Sequence, residues 1–372
     1  MSLAFIDLAA QQSRIRPALD RAIAQILDEG KYIMGPQVGE LEKKLAEFCG
    51  ATHCLSCANG TDALQLALMA LGIKAGDAVF VPSFTFAATA EVVPLVGATP
   101  VFVDVLPDTF NMDPESLKRA IVHARDIGLN PAVVIPVDLF GLPADYDVLI
   151  AIARENGMKV IGDSAQGWGG VYHGRVTGSL CDISTTSFFP AKPLGCYGDG
   201  GALFTDDAEL AALVDSFRVH GKGKHKYYNE RIGLNSRLDT LQAAILIEKL
   251  AIYADEIEAR QIVAGRYTDG FSGQYETPHV PEGLTSIWAQ YTLKMKDTAE
   301  REALQARASA AKVPTVVYYP VPLHRQTAYS AFPADPAGLT VSDDLAGRVV
   351  SLPMHPYLGT QDQDRIIAAV IG

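Results

Sequence analysis

Between about residues 50 and 205 the chain alternates two hydrophobic rhythms. Short runs rich in β-branched and aromatic residues predict strands: "HCLSC", "AVFVP", "TPVFVDV", "AVVIPVD", "MKVIGD", "ISTTSF" and "GALFT". Several are separated by segments of helical period. In "TDALQLALMALG", Leu64, Ala67, Leu68 and Leu71 fall at i, i+3, i+4 and i+7, a single stripe along a helix. "PESLKRAIVHARDIG" and "ADYDVLIAIARENG" repeat that pattern and end at glycine, a frequent helix stop. Strands alternating with helices predict a mostly parallel sheet covered on both faces. The unbroken apolar character of "AVVIPV" suits a strand buried on both sides.

Beyond residue 235 the rhythm changes. "NSRLDTLQAAILIEKLAIYADEIEARQIVAGRY" predicts one long helix, with Asn235 and Ser236 as candidate N-caps. It leads into a smaller C-terminal domain, where "WAQYTLKM" and "VPTVVYY" predict strands and residues 300–312 a helix. A chain of 372 residues exceeds one usual hydrophobic core. The expected division is a large domain over 1–250 and a small one over 251–372.

Composition narrows the function classes. The 31 basic and 43 acidic side chains give a formal charge of −12. Such a chain offers no broad basic field for a nucleic-acid backbone and no polybasic membrane patch. The exception is local: "HGKGKHKYY", His220 to Tyr228, is basic and reads as a solvated loop or as a clamp on a small polyanion. An odd count of five dispersed cysteines suits a reducing compartment. Cys54 and Cys57 form a C-x-x-C, but a zinc site needs a second pair, and in a strand these positions face opposite sides. The N-terminus carries no export signal and no apolar stretch reaches membrane-spanning length, so a cytoplasmic location is expected.

In open parallel sheets, ligands bind beyond the carboxyl ends of the strands. After "HCLSC" comes "ANGTDAL", where Gly60 and Thr61 open a helix whose N-terminus is an anion site. After "MKVIG" comes Asp163, either a helix cap or a carboxylate held against a heterocyclic N–H⁺. Phe86 follows "AVFVP" and reads as a core aromatic or as a ring that stacks on a ligand. Ser187 ends "ISTTS", able to donate to a phosphate, and five residues on stands Lys192 among aromatics, prolines and glycines. A lysine packed by apolar neighbours loses its charge more readily and becomes a nucleophile. A phosphate cradle, a carboxylate and such an amine are what pyridoxal 5′-phosphate requires.

Taken together, "GKYIMGPQVGELE", "ANGTDAL", "PSFTFAATAE", "DSAQ", "TSFFPAKPLGCYGDGGALFT", "GLNSRLDTLQAAIL" and "SLPMHPYL" resemble the DegT/StrS family of sugar-nucleotide aminotransferases over nearly the whole chain. The resemblance implies an α/β, fold-type-I, aspartate-aminotransferase-like architecture: a large domain with a mostly parallel sheet, and a smaller C-terminal α/β domain. It implies Lys192 as the lysine bonded to the cofactor, Asp163 as the partner of its ring nitrogen, Gln166 at its ring hydroxyl and Phe86 stacked on the ring. Gly60, Thr61 and Ser187 would hold the phosphate. Asn235 would reach the phosphate in a neighbouring subunit, so that a homodimer shares its sites. Arg237 would face the substrate, with Tyr319 and His324 as further substrate contacts. The expected partners are L-glutamate, leaving as 2-oxoglutarate, and a nucleotide-diphospho keto-sugar.

The wording of "FFPAKPLGCYGDGGA" and "SRLDTLQAAIL" is most similar to enzymes that aminate C3 of UDP-2-acetamido-2-deoxy-3-oxo-glucuronate for surface polysaccharide such as O-antigen. Two departures stand out. Where the family commonly has Glu-Asp-Ala-Ala-Gln, this chain has "GDSAQ", with Gly162 and Ser164. Tyr318 occupies the place of the histidine in a C-terminal His-Tyr-Pro motif. Four rival readings exist: an aminotransferase of another nucleotide-linked keto-deoxysugar, acting at C3 or C4; a sugar dehydratase, whose branch replaces the lysine by histidine; a non-catalytic cofactor-binding sensor; and a redox protein using Cys54 and Cys57.

Overall fold

The computed structural model describes residues 3–225 and 227–372. Helices α1 (Leu8–Glu29) and α2 (Pro36–Cys49) precede the alternating region. That region runs β1 (His53–Cys57), α3 (Gly60–Ala70), β2 (Asp77–Pro82), α4 (Ala88–Leu95), β3 (Thr99–Val103) and α5 (Pro114–Asp126). It continues through β4 (Asn130–Val134), α6 (Tyr146–Glu155) and β5 (Lys159–Asp163). A small hairpin, β6 (Val171–Tyr172) and β7 (Arg175–Val176), leads to β8 (Ile183–Ser187), β9 (Gly201–Thr205) and α7 (Ala208–Phe217). Then α8 (Thr240–Phe271) leads to β10 (Leu284–Thr285), β11 (Tyr291–Lys294), α9 (Thr298–Ala310), α10 (Thr340–Arg348), β12 (Val349–Leu352) and α11 (Thr360–Ile371).

Seven strands form the main sheet in the order β1-β9-β8-β5-β4-β2-β3. Pairing is parallel from β8 to β3, and β9 is antiparallel to both its neighbours. Only β9 is therefore reversed, and six strands deliver their carboxyl ends to one edge. Alternation along the strands divides the core. Val79, Val81, Val133 and Ile161 pack with α3 and α4, while Phe80, Val134 and Val160 pack with α5 and α6. The fold is thus the α/β architecture expected from the sequence, with a mostly parallel sheet between helical layers.

The expected division at residue 250 falls inside α8, which serves two cores. Ala243, Leu246 and Tyr253 pack with α2 and β9, whereas Val263, Tyr267 and Phe271 join the C-terminal cluster around Tyr291, Leu352 and Ile366. Two local expectations need correction. Asn235 and Ser236 do not cap α8, which begins at Thr240 with Asp239 before it. They lie instead in an extended stretch paired with the exit of α7, where Ser236 N donates to the Arg218 carbonyl at 2.9 Å. "VPTVVYY" forms no strand beyond a single bridge from Val316 to Ser351, because Pro314 and Pro320 bracket the run and lack amide donors.

His355, in the "SLPMHPYL" segment, is 4% exposed. Burial holds its imidazole down at about 4, from an ordinary 6.5, although Asp7 pulls the other way. The folded chain therefore binds fewer protons here than the unfolded chain between those values, so this contribution is lost as pH falls from 6.5 towards 4. Lowering pH from 7.5 to 5 should cost the wild type about 2 kcal/mol more unfolding free energy than His355→Asn, measured by urea denaturation. Equal losses in both proteins would refute this.

Candidate active site

Lys192 sits on a loop between β8 and β9 that is closed on itself. Its amide donates to the Phe189 carbonyl at 2.8 Å, Cys196 N donates to the Phe188 carbonyl at 2.8 Å, and Phe188 N to Gly200 O at 2.7 Å. At Gly195 an added Cβ would lie 2.5 Å from the Phe189 oxygen, so any larger residue would force the loop open. Helix α8 clamps this loop from behind. Gln242 Oε1 accepts from Tyr197 N at 2.8 Å, and Lys249 Nζ donates to the Gly195 carbonyl at 2.5 Å while lying 4.3 Å above the Tyr197 ring. Lys249 is fully buried, and burial lowers its amine to about 8. Burial also pushes the Lys192 ammonium down, with the Asp163 charge as the opposing pull.

Asp163 ends β5 and is 5% exposed. Thr89 Oγ1, on α4, donates to its Oδ2 at 2.8 Å and Ala165 N donates to its Oδ1 at 3.1 Å. Burial pushes this carboxyl up despite both donors. Gln166 is bonded at both ends of its amide: Oε1 accepts from Phe140 N at 3.0 Å, and Nε2 donates to the Tyr319 hydroxyl at 3.1 Å. Tyr319 is thus fastened to Gln166, and burial pushes its phenol well up.

The turn from β1 into α3 lies directly on the ends of β8 and β9. A Cβ on Gly60 would stand 2.6 Å from Ser187 Cβ, and one on Gly201 would stand 2.4 Å from the Asn59 oxygen. Asn59 caps the helix by accepting from Asp62 N at 2.8 Å. The first amides of a helix, here those of Gly60 and Thr61, have no intrahelical acceptor and face outward as an anion site. Ser187 Oγ accepts from Phe189 N at 3.3 Å, beside that turn. Phe86 follows β2 and leaves its ring 55% exposed, which excludes the purely core reading.

The 235–237 stretch leans on the foot of the same turn, since Ser236 Oγ accepts from Ala58 N at 3.1 Å. Asn235 is exposed and Arg237 half-buried, and neither side chain has a hydrogen-bond partner among the described residues. In the basic loop, Lys222 pairs with Asp215 at 3.2 Å, and Lys226 lies outside the described residues. His324 is engaged within the chain at both ring nitrogens: Nδ1 meets Ser83 Oγ at 2.6 Å and Nε2 meets Asp343 Oδ1 at 3.3 Å. Cys54 packs with Trp168 and Phe204, Cys57 with Leu64 and Leu203 on the other face, and burial raises both thiols, so the redox reading lacks its geometry.

Comparison with known proteins fits this geometry. The profile of the DegT/DnrJ/EryC1/StrS aminotransferase family matches residues 13–371. The chain belongs to that family.

This aminotransferase is 48% identical over 367 residues to the UDP-2-acetamido-2-deoxy-3-oxo-D-glucuronate aminotransferase of Pseudomonas aeruginosa, covering 98% of this chain and 99% of the relative. Its fold matches a DegT DnrJ EryC1 StrS aminotransferase from Brucella abortus with a TM-score of 0.97 at 53% identity, covering 99% and 98% of the two chains. It also matches NtdA from Bacillus subtilis, solved with bound cofactor PMP, with a TM-score of 0.88 at 29% identity, covering 98% and 82%. The cofactor is pyridoxal 5′-phosphate. The chain's own residues fit it: a glycine cradle at a helix N-terminus, a buried carboxylate and a desolvated amine stand at one sheet edge.

The sequence reading missed Thr89 and Lys249. Thr89 lies three residues after Phe86 on the first turn of α4, a spacing that could have drawn notice. Lys249 stands in the apolar run "AAILIEKLAIYA", and a lone lysine inside a buried stripe was the available signal.

Gly60→Ala should force α3 away from Ser187 and weaken binding of pyridoxal phosphate to the apo-protein at least tenfold, read by absorbance titration. Wild-type affinity in this variant would mean that the cradle lies elsewhere.

Proposed function

We propose that this aminotransferase moves the amino group of L-glutamate to C3 of UDP-2-acetamido-2-deoxy-3-oxo-D-glucuronate, as a cytoplasmic homodimer serving surface-polysaccharide synthesis such as that of O-antigen. The observation carrying this reading is the full-length 48% identity to a relative named for that substrate. Arg237, whose side chain has no hydrogen-bond partner among the described residues, supports it: offered to the neighbouring subunit's site, its guanidinium could grip the carboxylate of a uronate bidentately. Among the described residues no helix is long and apolar enough to cross a membrane.

When bound, pyridoxal phosphate supplies an aldehyde for amine exchange and a protonated ring that takes up an electron pair from the substrate. The chain's residues do the rest. The Gly60 and Thr61 amides and Ser187 would bind the phosphate, and Phe86 would cover the ring. Asp163 would hold a proton on the ring nitrogen, and its own two donors keep it oriented as an acceptor. Lys192 Nζ would take the proton from the glutamate α-carbon in the first half-reaction and deliver one to C3 of the sugar in the second. Burial lowers the amine's affinity for a proton, the direction that frees it to act as a base. Asn235 and Arg237, without side-chain partners among the described residues, would complete the site of the second subunit, with the basic loop beside the diphosphate. His324 would act through Ser83 on the loop that carries Phe86, since its ring nitrogens are already engaged.

Keto-sugar nucleotides added one at a time to the aminated cofactor form should show consumption of the amino group fastest with the UDP-3-oxo-glucuronate. Faster reaction with a 4-keto-deoxysugar would overturn the substrate assignment while leaving the transaminase. Lys192→Ala should lower turnover by roughly 10³-fold or more. Arg237→Ala should raise KM for the uronate by about 10- to 100-fold with little change in KM for glutamate; an equal rise for both would remove the proposed carboxylate contact.

A further inference from the structure

Asp138 lies at the turn after β4 and is fully buried. Three groups donate to its carboxylate: Ser164 Oγ to Oδ2 at 2.6 Å, and Ala144 N and Tyr146 Oη to Oδ1 at 2.9 and 3.0 Å. Its backbone amide donates to the Asp163 carbonyl at 3.0 Å, and Asp163 N donates to Pro136 O at 2.9 Å. Its Cβ presses on Gly167, where an added Cβ would stand only 2.3 Å away. It also opens the turn whose Phe140 amide holds the Gln166 oxygen. One residue therefore touches Asp163, Ser164 and Gly167 of this turn, and the short turn it opens holds Gln166 through the Phe140 amide.

Gly162 and Ser164, the two residues by which "GDSAQ" departs from Glu-Asp-Ala-Ala-Gln, belong to the same cluster. Side chains at 162 and 164 face the side of β5 opposite to Asp163. Ser164 supplies the shortest bond to Asp138. Gly162 makes room for the Tyr146 phenol, which a Cβ there would meet at 2.7 Å. A residue with bulk at 162 would displace Tyr146 and leave a buried carboxylate short of a donor, a costly state. Burial holds the Asp138 carboxyl up at about 7 even with all three donors present, so each donor matters to its charge.

We propose that Asp138 is a positioning residue: through Ser164 and the Leu139–Gly141 turn it fixes Asp163 and Gln166 against the cofactor ring, and Gly162 and Ser164 are the residues that accommodate it. This rests on the proposed roles of Asp163 and Gln166. Asp138 touches neither cofactor nor substrate. Its effect is transmitted by the orientation of the turn.

The test uses the holoenzyme and three variants: Ser164→Ala, Asp138→Asn and the double substitution. Ser164→Ala is small and removes only one donor, so it should fold even if Asp138→Asn does not. The readouts are affinity of the apo-protein for pyridoxal phosphate, the visible circular-dichroism band of the bound cofactor, and the split between kcat and KM. Each single variant should weaken cofactor affinity about 5- to 10-fold, reduce the dichroic band and lower kcat about tenfold with KM for glutamate unchanged. The double variant should be no worse than the worse single. A wild-type band and affinity in Ser164→Ala, or additive effects in the double variant, would overturn the proposal. So would variants that lose only thermal stability. Asp163→Asn provides the separating control: if it too leaves band and affinity unchanged, the assignment of Asp163 itself has failed, whereas a large effect there with none at Ser164 overturns the inference about Asp138 alone.

Discussion

A lysine amine and an aspartate carboxyl must share one poorly hydrated place without collapsing into a simple ion pair. Burial pushes Lys192 down and Asp163 up, and each group's charge pulls the other back towards ionisation. Two desolvated groups in that balance respond strongly to a third charge, which in this family is a cofactor with a cationic ring and an anionic phosphate. The scaffold's task is to keep the two from drifting together. It does so by tying Asp163 to Thr89 and Ala165, and by closing the Lys192 loop on its own carbonyls.

That separation has a topological origin. Six strands running one way bring the turns after β1, β2, β4, β5 and β8 to a single edge, so residues more than a hundred positions apart meet there. The reversed β9 is what lets the Lys192 loop return as a hairpin beside the Gly60 turn, with Gly201 packed on the Asn59 backbone. Helix α8 then fixes the loop from outside the sheet. The amine of Lys249 spends one bond on a carbonyl three residues past Lys192 and lies over Tyr197. A buried lysine held by a carbonyl and a ring, with no carboxylate in salt-bridge contact among the described residues, is expensive to keep, and its position behind the loop is the compensation visible in the structure.

The parts of this arrangement legible in the sequence were those set by period and by chain-local chemistry. The strands "AVFVP" and "MKVIGD" and the α3 stripe could be read because burial on one or both faces leaves a rhythm. Gly60, Asp163 and Lys192 could be singled out because Asp163 ends a strand and the other two come within five residues of a strand end. Contacts decided by packing between distant segments were not legible. Nothing local shows that Asn235 pairs with Val219 instead of capping a helix, or that His324 is spent on Ser83 and Asp343. "VPTVVYY" had strand composition, yet its prolines and the lack of a neighbouring partner left one bridge. The N-terminal helices α1 and α2 escaped as well, since they are defined by burial on α8 and β9, elements some two hundred residues away.

The arm that leaves α7 follows the same logic of distant ties. Arg218 is 3% exposed and donates to Glu42 at 2.5 Å, Asp215 at 2.7 Å and the Ser56 carbonyl at 2.7 Å, while its own carbonyl accepts from Ser236 N. Glu42 in turn accepts from the amide and hydroxyl of Ser56. The strand that ends in the cofactor cradle and the stretch bearing Asn235 and Arg237 are thus fastened to one buried guanidinium. A buried charge with all three guanidinium nitrogens bonded gives geometric definition more than net stability. What the tie fixes is the position of the backbone that carries Asn235 and Arg237 relative to the Gly60 turn, since Ser236 is bonded to both Arg218 and Ala58.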